Sequence, residues 1–120
     1  MVLVDTSIWI DHLRAGHQQL QALLNDDTIF CHPYIIGELA CGNLGNRDDV
    51  LALLQALPTV PVLVADEFVF FLDRNRLMDC GIGFVAVHLL ASARLAGVSL
   101  WTKDRHLRAA AAHMGVSYPS

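Results

Sequence analysis

Short apolar runs alternate along the chain with longer stretches in which apolar residues recur every three or four positions. The short runs are typical of buried strands, and the longer stretches are typical of amphipathic helices. Alternation of the two favours βαβ units and therefore an α/β fold built on a parallel sheet. The apolar runs predict about five strands, over residues 1–4, 28–31, 60–64, 98–102 and 116–118.

Helices are predicted in the intervals between these strands. Leucines at helical spacing mark several of them, and Pro58 and Gly97 mark two of their ends. The predicted helices cover residues 7–13, 18–25, 33–42, 48–57, 84–96 and 104–114, and one more begins at residue 66. Since no repeat, low-complexity tract or charged linker divides the sequence, residues 1–120 are expected to form a single domain.

Composition narrows the class of protein. Hydrophobic residues make up 54% of the sequence and charged residues 17%, so the chain is expected to form a core rather than to be disordered. Polar residues or glycine interrupt every apolar run well short of the ~18 residues of a membrane span. The first residues also lack the basic segment of a signal peptide. A cytoplasmic protein is therefore expected, with Cys31, Cys41 and Cys80 as reduced, mostly buried thiols.

Charge gives no sign of a broad surface for nucleic acid. The formal net charge is −4, and Lys and Arg form no run. A nucleic-acid substrate held locally, through a metal ion and a few arginines, remains compatible with this composition.

Three acidic residues occupy positions that core packing does not require. Asp5 ends the first predicted strand, Asp104 closely follows the strand at 98–102, and Glu38 lies early in the helix that begins at Pro33. Because the carboxyl ends of parallel strands lie along one edge of a sheet, these side chains can converge on a single crevice. Clustered carboxylates repel each other unless a cation neutralises them, and oxygen ligands suit Mg²⁺ or Mn²⁺ rather than zinc.

Each acid also has an explanation that involves no ligand. Asp5 and Asp104 are candidates for helix N-caps, a common use of Asp after a strand. Glu38 is equally well explained as a solvated helix residue. Taken singly, the acids leave both interpretations open, whereas their joint placement at one edge favours a metal site.

Four blocks of sequence extend this pattern. They are Val4-Asp5-Thr6-Ser7 with Trp9 and Asp11, then Gly37-Glu38-Leu39, then Gly81-Ile82-Gly83-Phe84 followed by His88-Leu89-Leu90-Ala91, and finally Trp101-Thr102-Lys103-Asp104-Arg105-His106-Leu107. In order and approximate spacing these blocks resemble PIN-domain ribonucleases, and among them most closely the VapC toxins of bacterial toxin–antitoxin operons. The resemblance runs nearly from end to end of the chain.

The resemblance implies a fold and an activity. The fold would be a three-layer α/β/α arrangement around the parallel sheet. The activity would be that of an endoribonuclease dependent on Mg²⁺ or Mn²⁺, in which Asp5, Glu38 and Asp104 hold metal that activates water against an RNA phosphodiester. Thr6 and Thr102 match hydroxyl positions beside the acids, where they can bind a ligand water or orient a carboxylate.

The resemblance also implies partners. VapC toxins form homodimers and bind a small VapB-like antitoxin, whose C-terminal segment covers the active groove, so a homodimer and a hetero-oligomer with antitoxin are expected. Lys103 and Arg105 are candidates for contacts with RNA phosphates. Arg74, Arg76 and Arg108 are expected to be surface charges.

One position departs from the family pattern. The helix that follows the Gly-Ile-Gly loop would carry a further metal-binding Asp two residues before the His-Leu-Leu segment, and here that position is Ala86. Ala cannot bind metal, so we expect this chain to bind divalent ions weakly and to cleave RNA little or not at all. Either an Asp of the natural protein has been replaced to disarm the enzyme, or the chain is a degenerate natural member of the family.

Two other functions compete with the nuclease. The first is an inactive PIN domain that only binds antitoxin or RNA. The second is a receiver domain of two-component signalling, which also alternates strands and helices and places a Thr and a Lys near later strands, as at Thr102 and Lys103. A receiver domain needs an acidic pair at the end of its first strand, where this chain has only Asp5.

Overall fold

Three parallel strands form the sheet at the centre of the protein. The structure is a computed structural model that describes residues 1–119. The strands are β1 (Val2–Val4), β2 (Ile29–Phe30) and β3 (Ser99–Trp101), in the order β2-β1-β3. The central position of β1 is a consequence of its composition, because a run of Val and Leu suits a strand that is buried on both faces.

Within residues 1–119, seven helices surround this sheet. They are α1 (Thr6–Ala15), α2 (Gln18–Asn25), α3 (Pro33–Ala40), α4 (Arg47–Ala56), α5 (Ala65–Arg74), α6 (Phe84–Ala96) and α7 (Arg105–His113). Successive side chains of a strand point to opposite faces of a sheet. Val2, Leu3 and Val4 are all at most 4% exposed, so both faces of the sheet are covered. The predicted α/β class with a central parallel sheet is therefore confirmed.

Helix α6 is the most deeply buried of the helices. Its residues from Val87 to Ala93 are all buried, and it packs against β3, α5 and α7. A helix that is apolar on every side belongs in the interior of a domain. Gly97, which adopts a left-handed conformation with φ of 69°, ends the helix and lets the chain turn into β3.

The prediction of about five strands is wrong in number. Residues 60–64 and 116–118 form no strand, and their neighbourhoods contribute only isolated parallel bridges, between Cys31 and Thr59 and between Leu100 and Ser117. Pro61 explains the first case, because proline has no N–H to donate to a neighbouring strand. Five segments therefore meet in the sheet region, but only three of them are strands.

The cysteines are free thiols, as expected, but their predicted burial is correct only for Cys31. Burial raises the pKa of the Cys31 thiol to about 11. Cys41 and Cys80 are exposed, because each lies just beyond or outside a helix rather than on its core-facing side. Within residues 1–119, no helix has the length and apolar character needed to cross a membrane.

Candidate active site

The first and last strands of the sheet end side by side, and this places two of the predicted acids together. Val4 pairs with Trp101, and the backbone N–H of Asp5 donates a 2.9 Å hydrogen bond to the carbonyl oxygen of Trp101. Asp5 therefore leaves β1 next to the point where Thr102 leaves β3. The convergence of residues 5 and 102–104 follows from the parallel register of the two strands.

Three donors hold the carboxylate of Asp5. Its Oδ1 accepts from the backbone N–H of Thr6 at 2.8 Å, and its Oδ2 accepts from the hydroxyls of Thr102 at 2.7 Å and Ser7 at 3.1 Å. Asp5 is also the N-cap of α1. None of these donors is charged, so they fix the orientation of the carboxylate and leave its negative charge without a counterion.

Thr102 connects Asp5 to Asp104. Its hydroxyl donates to Asp5 and accepts a 3.0 Å hydrogen bond from the backbone N–H of Asp104. The side chain of Asp104 caps α7, with Oδ1 accepting from the backbone N–H of Leu107 at 3.0 Å. Thr102 is only 2% exposed, and its hydroxyl both donates and accepts a hydrogen bond within the protein.

Thr6 connects Asp5 to Glu38 in the same way. Its hydroxyl donates a 2.7 Å hydrogen bond to Oε1 of Glu38, which lies on α3, while its backbone N–H donates to Asp5. Helix α3 packs against α1, and this contact brings Glu38 to the start of α1. The structure therefore joins the three acids through the two threonines that the sequence singled out.

The N-cap interpretation of Asp5 and Asp104 is confirmed, and it does not exclude a ligand. Among the described hydrogen bonds, Asp104 uses only Oδ1 and Glu38 uses only Oε1. A carboxylate oxygen has two lone pairs, so one cap bond leaves acceptor capacity on every acid. The edge of the sheet thus presents carboxylate oxygens, and within residues 1–119 none of these three acids forms an ion pair.

The oxygen atoms of these side chains are the kind of ligand that a hard divalent cation prefers. Their positions, however, fit such an ion only in part. The donors are all oxygens, which Mg²⁺ and Mn²⁺ prefer. Across residues 1–119, however, no three His, Cys, Asp or Glu side chains are arranged to enclose one ion. Mg²⁺ usually keeps several waters and takes only one or two carboxylates directly. The arrangement therefore suits an ion held by one or two of these three acids, with water between the ion and the remaining carboxylate oxygens.

Ala86 lies in the first turn of α6, close to this region. Tyr34, Glu38, Phe84 and Val85 line one surface groove of about 560 Å³, so the start of α6 and the acid of α3 face the same space. The first turn of α6 contains no acidic residue, and its N-cap residue, Gly83, has no side chain to accept a hydrogen bond. The positive end of the helix dipole therefore has no anion from the helix itself.

The two predicted RNA contacts differ in their surroundings. Lys103 is engaged in an ion pair, with Nζ 2.6 Å from Oδ2 of Asp11, and this hydrogen bond lowers the pKa of Asp11. Arg105 is exposed at the start of α7. Arg108, expected only as a surface charge, donates a 3.2 Å hydrogen bond to the carbonyl oxygen of Thr102 and so supports the turn between the acids.

A cluster of aromatic and histidine rings lies behind the groove. His32 caps α3 by accepting at Nδ1 from the backbone N–H of Tyr34, and the ring of His88 stacks on Phe68 with centroids 4.3 Å apart. Both histidines are buried, and His32 Nε2 and His88 Nδ1 have no hydrogen-bond partner. Burial lowers the pKa of His32 to about 4 and also lowers that of His88, so both rings are neutral at pH 7.

Sequence reasoning missed Ser7, Arg108 and His32 as parts of this region. Ser7 bonds the Asp5 carboxylate, and it could have been found from its position two residues after an acid at a helix start. Both other contacts are also local, since Arg108 bonds a carbonyl six positions earlier and His32 accepts from a backbone N–H two positions later. His is not among the residues preferred at helix N-caps, so its capping role had no sequence signal.

Comparison with known proteins adds a family model and several relatives. The PIN domain model matches residues 2–113 of this chain. Ribonuclease VapC32 of Mycobacterium tuberculosis is 48% identical over 118 residues, which cover 98% of this chain and 95% of the relative, in both strain CDC 1551 / Oshkosh and strain ATCC 25618 / H37Rv.

Two solved structures share the fold. FitAcB from Neisseria gonorrhoeae has a TM-score of 0.64 at 18% identity, with 93% of this chain and 94% of that chain covered. PAE2754 from Pyrobaculum aerophilum has a TM-score of 0.61 at 16% identity, with 91% and 78% covered. At these identities the likeness concerns the fold alone, and it agrees with the three-layer α/β/α arrangement expected from the sequence.

Proposed function

Because the chain belongs to the PIN-domain family, and within it to the VapC toxins, we propose that it is the toxin of a toxin–antitoxin pair and an endoribonuclease that cleaves RNA phosphodiesters. The observation that carries the proposal is the similarity over nearly the whole length to a protein named as a ribonuclease. The hydrogen-bonded set of three acids at the sheet edge supports it, because carboxylate oxygens can hold a divalent cation, and such a cation stabilises the negative charge that develops when a phosphodiester is hydrolysed. The same family match argues against the receiver domain.

We propose Mg²⁺ or Mn²⁺ as the cofactor, held by Asp5, Glu38 and Asp104. A bound divalent ion would lower the pKa of its water and neutralise charge that develops on the phosphate. The protein's own residues orient the acids. Thr102 and Ser7 donate hydrogen bonds to the carboxylate of Asp5, and Thr6 donates one to Glu38. These bonds already orient the acids, so they would lose little side-chain entropy on binding the ion.

We also propose that Ala86 leaves the site one acid short. The first turn of α6 is where a carboxylate would be stabilised by the helix dipole, and it faces the groove that Glu38 lines. Without that carboxylate the site would bind metal weakly and cleave RNA slowly.

Restoring the acid tests the activity and the impairment together. We expect Ala86→Asp to raise Mg²⁺-dependent cleavage of single-stranded RNA by orders of magnitude, and Ala86→Asn, which has the same size but no charge, to leave it low. Cleavage that is equal in the parent chain and in Ala86→Asp would contradict the impairment. Absence of cleavage by Ala86→Asp in both Mg²⁺ and Mn²⁺ would contradict the nuclease.

For partners we propose a homodimer and a hetero-oligomer with a VapB-like antitoxin. Phe70 and Leu95, 65% and 64% exposed, line the same surface groove, and exposed apolar side chains that lie together are typical of an interaction surface. Phe84, 61% exposed, lies on the groove beside Glu38, where an antitoxin segment would cover the acids. Light scattering of the chain alone and with antitoxin would measure both assemblies.

A second candidate function is a PIN domain that only binds antitoxin or RNA. Ala86 favours it, because alanine cannot hold a metal ion, whereas the presence of the other predicted site residues favours a disarmed enzyme. The codon at position 86 of the natural gene would discriminate: an aspartate codon indicates a disarmed enzyme, and an alanine codon indicates a binding domain. For either function we propose the cytoplasm, which agrees with three free thiols.

A further inference from the structure

A cleft that the site above does not use runs along one side of α7. It has a volume of about 590 Å³ and lies between α7, the end of α5 and the turn that follows α5. We call it the cationic cleft. The residues that matter here are Arg74, Arg76, Leu77, His106, His113 and Met114.

The charge of the cationic cleft is opposite to that of the whole chain. The formal net charge is −4, yet no Asp or Glu lines this cleft. Within residues 1–119 the ion pair of Lys103 and Asp11 is the only one, so the guanidinium groups of Arg74 and Arg76 have no carboxylate partner. Two unpaired guanidinium groups on one concave surface suit a ligand that carries phosphates.

The backbone at Arg76 points to the same conclusion. Its φ is 52°, in the left-handed region that Gly and Asn occupy more readily than Arg. The thiol of Cys80 donates to the Arg76 carbonyl oxygen at 3.4 Å and helps to hold this turn. A strained backbone conformation costs free energy, and such conformations are concentrated at functional sites. The strained residue here is one whose unpaired guanidinium group lines a cleft.

The floor of the cationic cleft is apolar. Leu77 is 6% exposed, and Met114 and Ala110 are half-buried and pack against the core. An apolar floor between cationic walls matches a nucleotide of a single strand, whose base has an apolar face and whose phosphates are charged.

The cationic cleft adjoins the acidic edge of the sheet. His106 lies on its wall, two residues after Asp104, and its ring packs against Gly81, where an added Cβ would come within 3.1 Å. Gly81 begins the Gly-Ile-Gly loop that leads into α6 and Ala86. One strand of RNA that passed the acids would therefore continue into the cleft.

We propose that the cationic cleft binds the RNA strand next to the bond that is cut, with a base on the apolar floor and adjacent phosphates on Arg74 and Arg76. This inference rests on the proposed function. Arg74 and Arg76 are exposed, as the sequence analysis expected, and the proposal adds a ligand for them.

Binding can be measured on the parent chain, whose Ala86 is expected to prevent turnover. The probe is a fluorescein-labelled single-stranded RNA of mixed sequence, followed by fluorescence anisotropy at several salt concentrations. The double variant Arg74→Gln/Arg76→Gln should bind about tenfold more weakly, and its log–log salt slope should fall by about 1.4, since each lost phosphate contact on a single strand contributes ~0.7. Arg74→Lys/Arg76→Lys, which keeps both charges, should retain most of the affinity and the slope.

Arg47→Gln is the matched control, because Arg47 is exposed on α4 and does not line the cationic cleft. It should change the affinity less than about twofold. RNA binding by the double glutamine variant as tight as that of Arg47→Gln would overturn the proposal. A melting temperature close to that of the parent chain would confirm that each variant folds.

Cleavage in the Ala86→Asp background separates this inference from the nuclease itself. If Ala86→Asp cleaves RNA and the glutamine pair lowers kcat/KM mainly through KM, both proposals are supported. If Ala86→Asp cleaves RNA and the two glutamine substitutions leave its kcat/KM unchanged, only the proposal for the cationic cleft is wrong. If the parent chain does not bind RNA and Ala86→Asp does not cleave it, both are wrong.

Discussion

The hydroxyl of Thr102 donates a 2.7 Å hydrogen bond to the Asp5 carboxylate across 97 positions of sequence. The bond exists because β1 and β3 are parallel neighbours that end at the same level. It connects Asp5, at the end of β1, to Thr102 and Asp104, which follow β3. Most of the predictions below concern groups around this bond.

Removing this hydroxyl should cost stability. Thr102→Val leaves Oδ2 of Asp5 with one donor fewer and the backbone N–H of Asp104 without its acceptor, in a place where Thr102 is only 2% exposed. We expect the free energy of unfolding to fall by about 2–3 kcal/mol, as for a buried hydrogen bond to a charged group. Urea denaturation measures it. Thr102→Ser keeps the hydroxyl and should cost about 1 kcal/mol or less; equal losses in the two variants would show that the hydroxyl is not the cause.

Metal removal should abolish cleavage in the Ala86→Asp protein. We expect EDTA to reduce the rate to background and added Mg²⁺ or Mn²⁺ to restore it, because the acids alone cannot neutralise the charge on the phosphate. Calorimetry should show tighter Mg²⁺ binding in Ala86→Asp than in the parent chain, and weaker binding after Glu38→Gln. Asp73→Asn, an exposed acid on α5, is the matched control. Cleavage that persists in EDTA would contradict the metal site.

The buried His32 should make stability depend on pH. Its pKa is lowered from 6.5 to about 4, first by burial and then by repulsion from His88, so the folded state favours the neutral ring. The stabilisation is complete above pH 6.5 and is lost as the pH falls towards 4, because the unfolded chain takes up a proton that the folded chain excludes. We expect the free energy of unfolding to fall by about 2 kcal/mol from pH 7.5 to pH 5.

His32→Asn keeps an N-cap side chain and removes the titrating ring, so it should flatten that pH dependence. His88, whose pKa burial also lowers, would account for a smaller remaining slope in the same direction. His113→Asn, at an exposed position, should leave the pH profile close to that of the parent chain. A profile unchanged by His32→Asn would contradict the assignment.

Gly81 should tolerate substitution less well than Gly97. Both have positive φ, of 78° and 69°, but a Cβ at Gly81 would come within 3.1 Å of the His106 ring, whereas at Gly97 nothing lies within 4 Å. We expect Gly97→Ala to cost about 1 kcal/mol through backbone strain alone and Gly81→Ala to cost more. Thermal unfolding of the two variants measures the difference. If His106→Ala removes that difference, the clash with the ring is its source.

Much of the fold could be predicted from local pattern. The helix at residues 84–96 has the same bounds in the sequence prediction and the structure, because glycines flank an apolar run on both sides. The prediction of a strand at 60–64 was wrong because it rested on the three valines of this segment and gave too little weight to Pro61. The nitrogen of proline has no hydrogen to donate to a neighbouring strand. The number of strands was therefore overestimated even though the class is correct.

The candidate site could be predicted less completely. Asp5 and Asp104 stand out because acids directly after strands mark the ligand edge of a parallel sheet. The structure brings the predicted residues into one hydrogen-bonded set, and their catalytic role stays a prediction. The partners of Thr6 and Thr102 could not be read from the residues, since a hydrogen bond across 32 or 97 positions depends on packing and register.

The order of the strands in the sheet also determines the order in which they can pair during synthesis. Its middle strand, β1, is synthesised first and has β3 as one of its two neighbours, and Thr102 follows Asp5 by 97 residues. A nascent chain can pair β1 with β2 early, but it cannot close the acidic edge until residues 99–104 have left the ribosome. The acids are therefore brought together only when β3, the last of the three strands to be synthesised, pairs with β1.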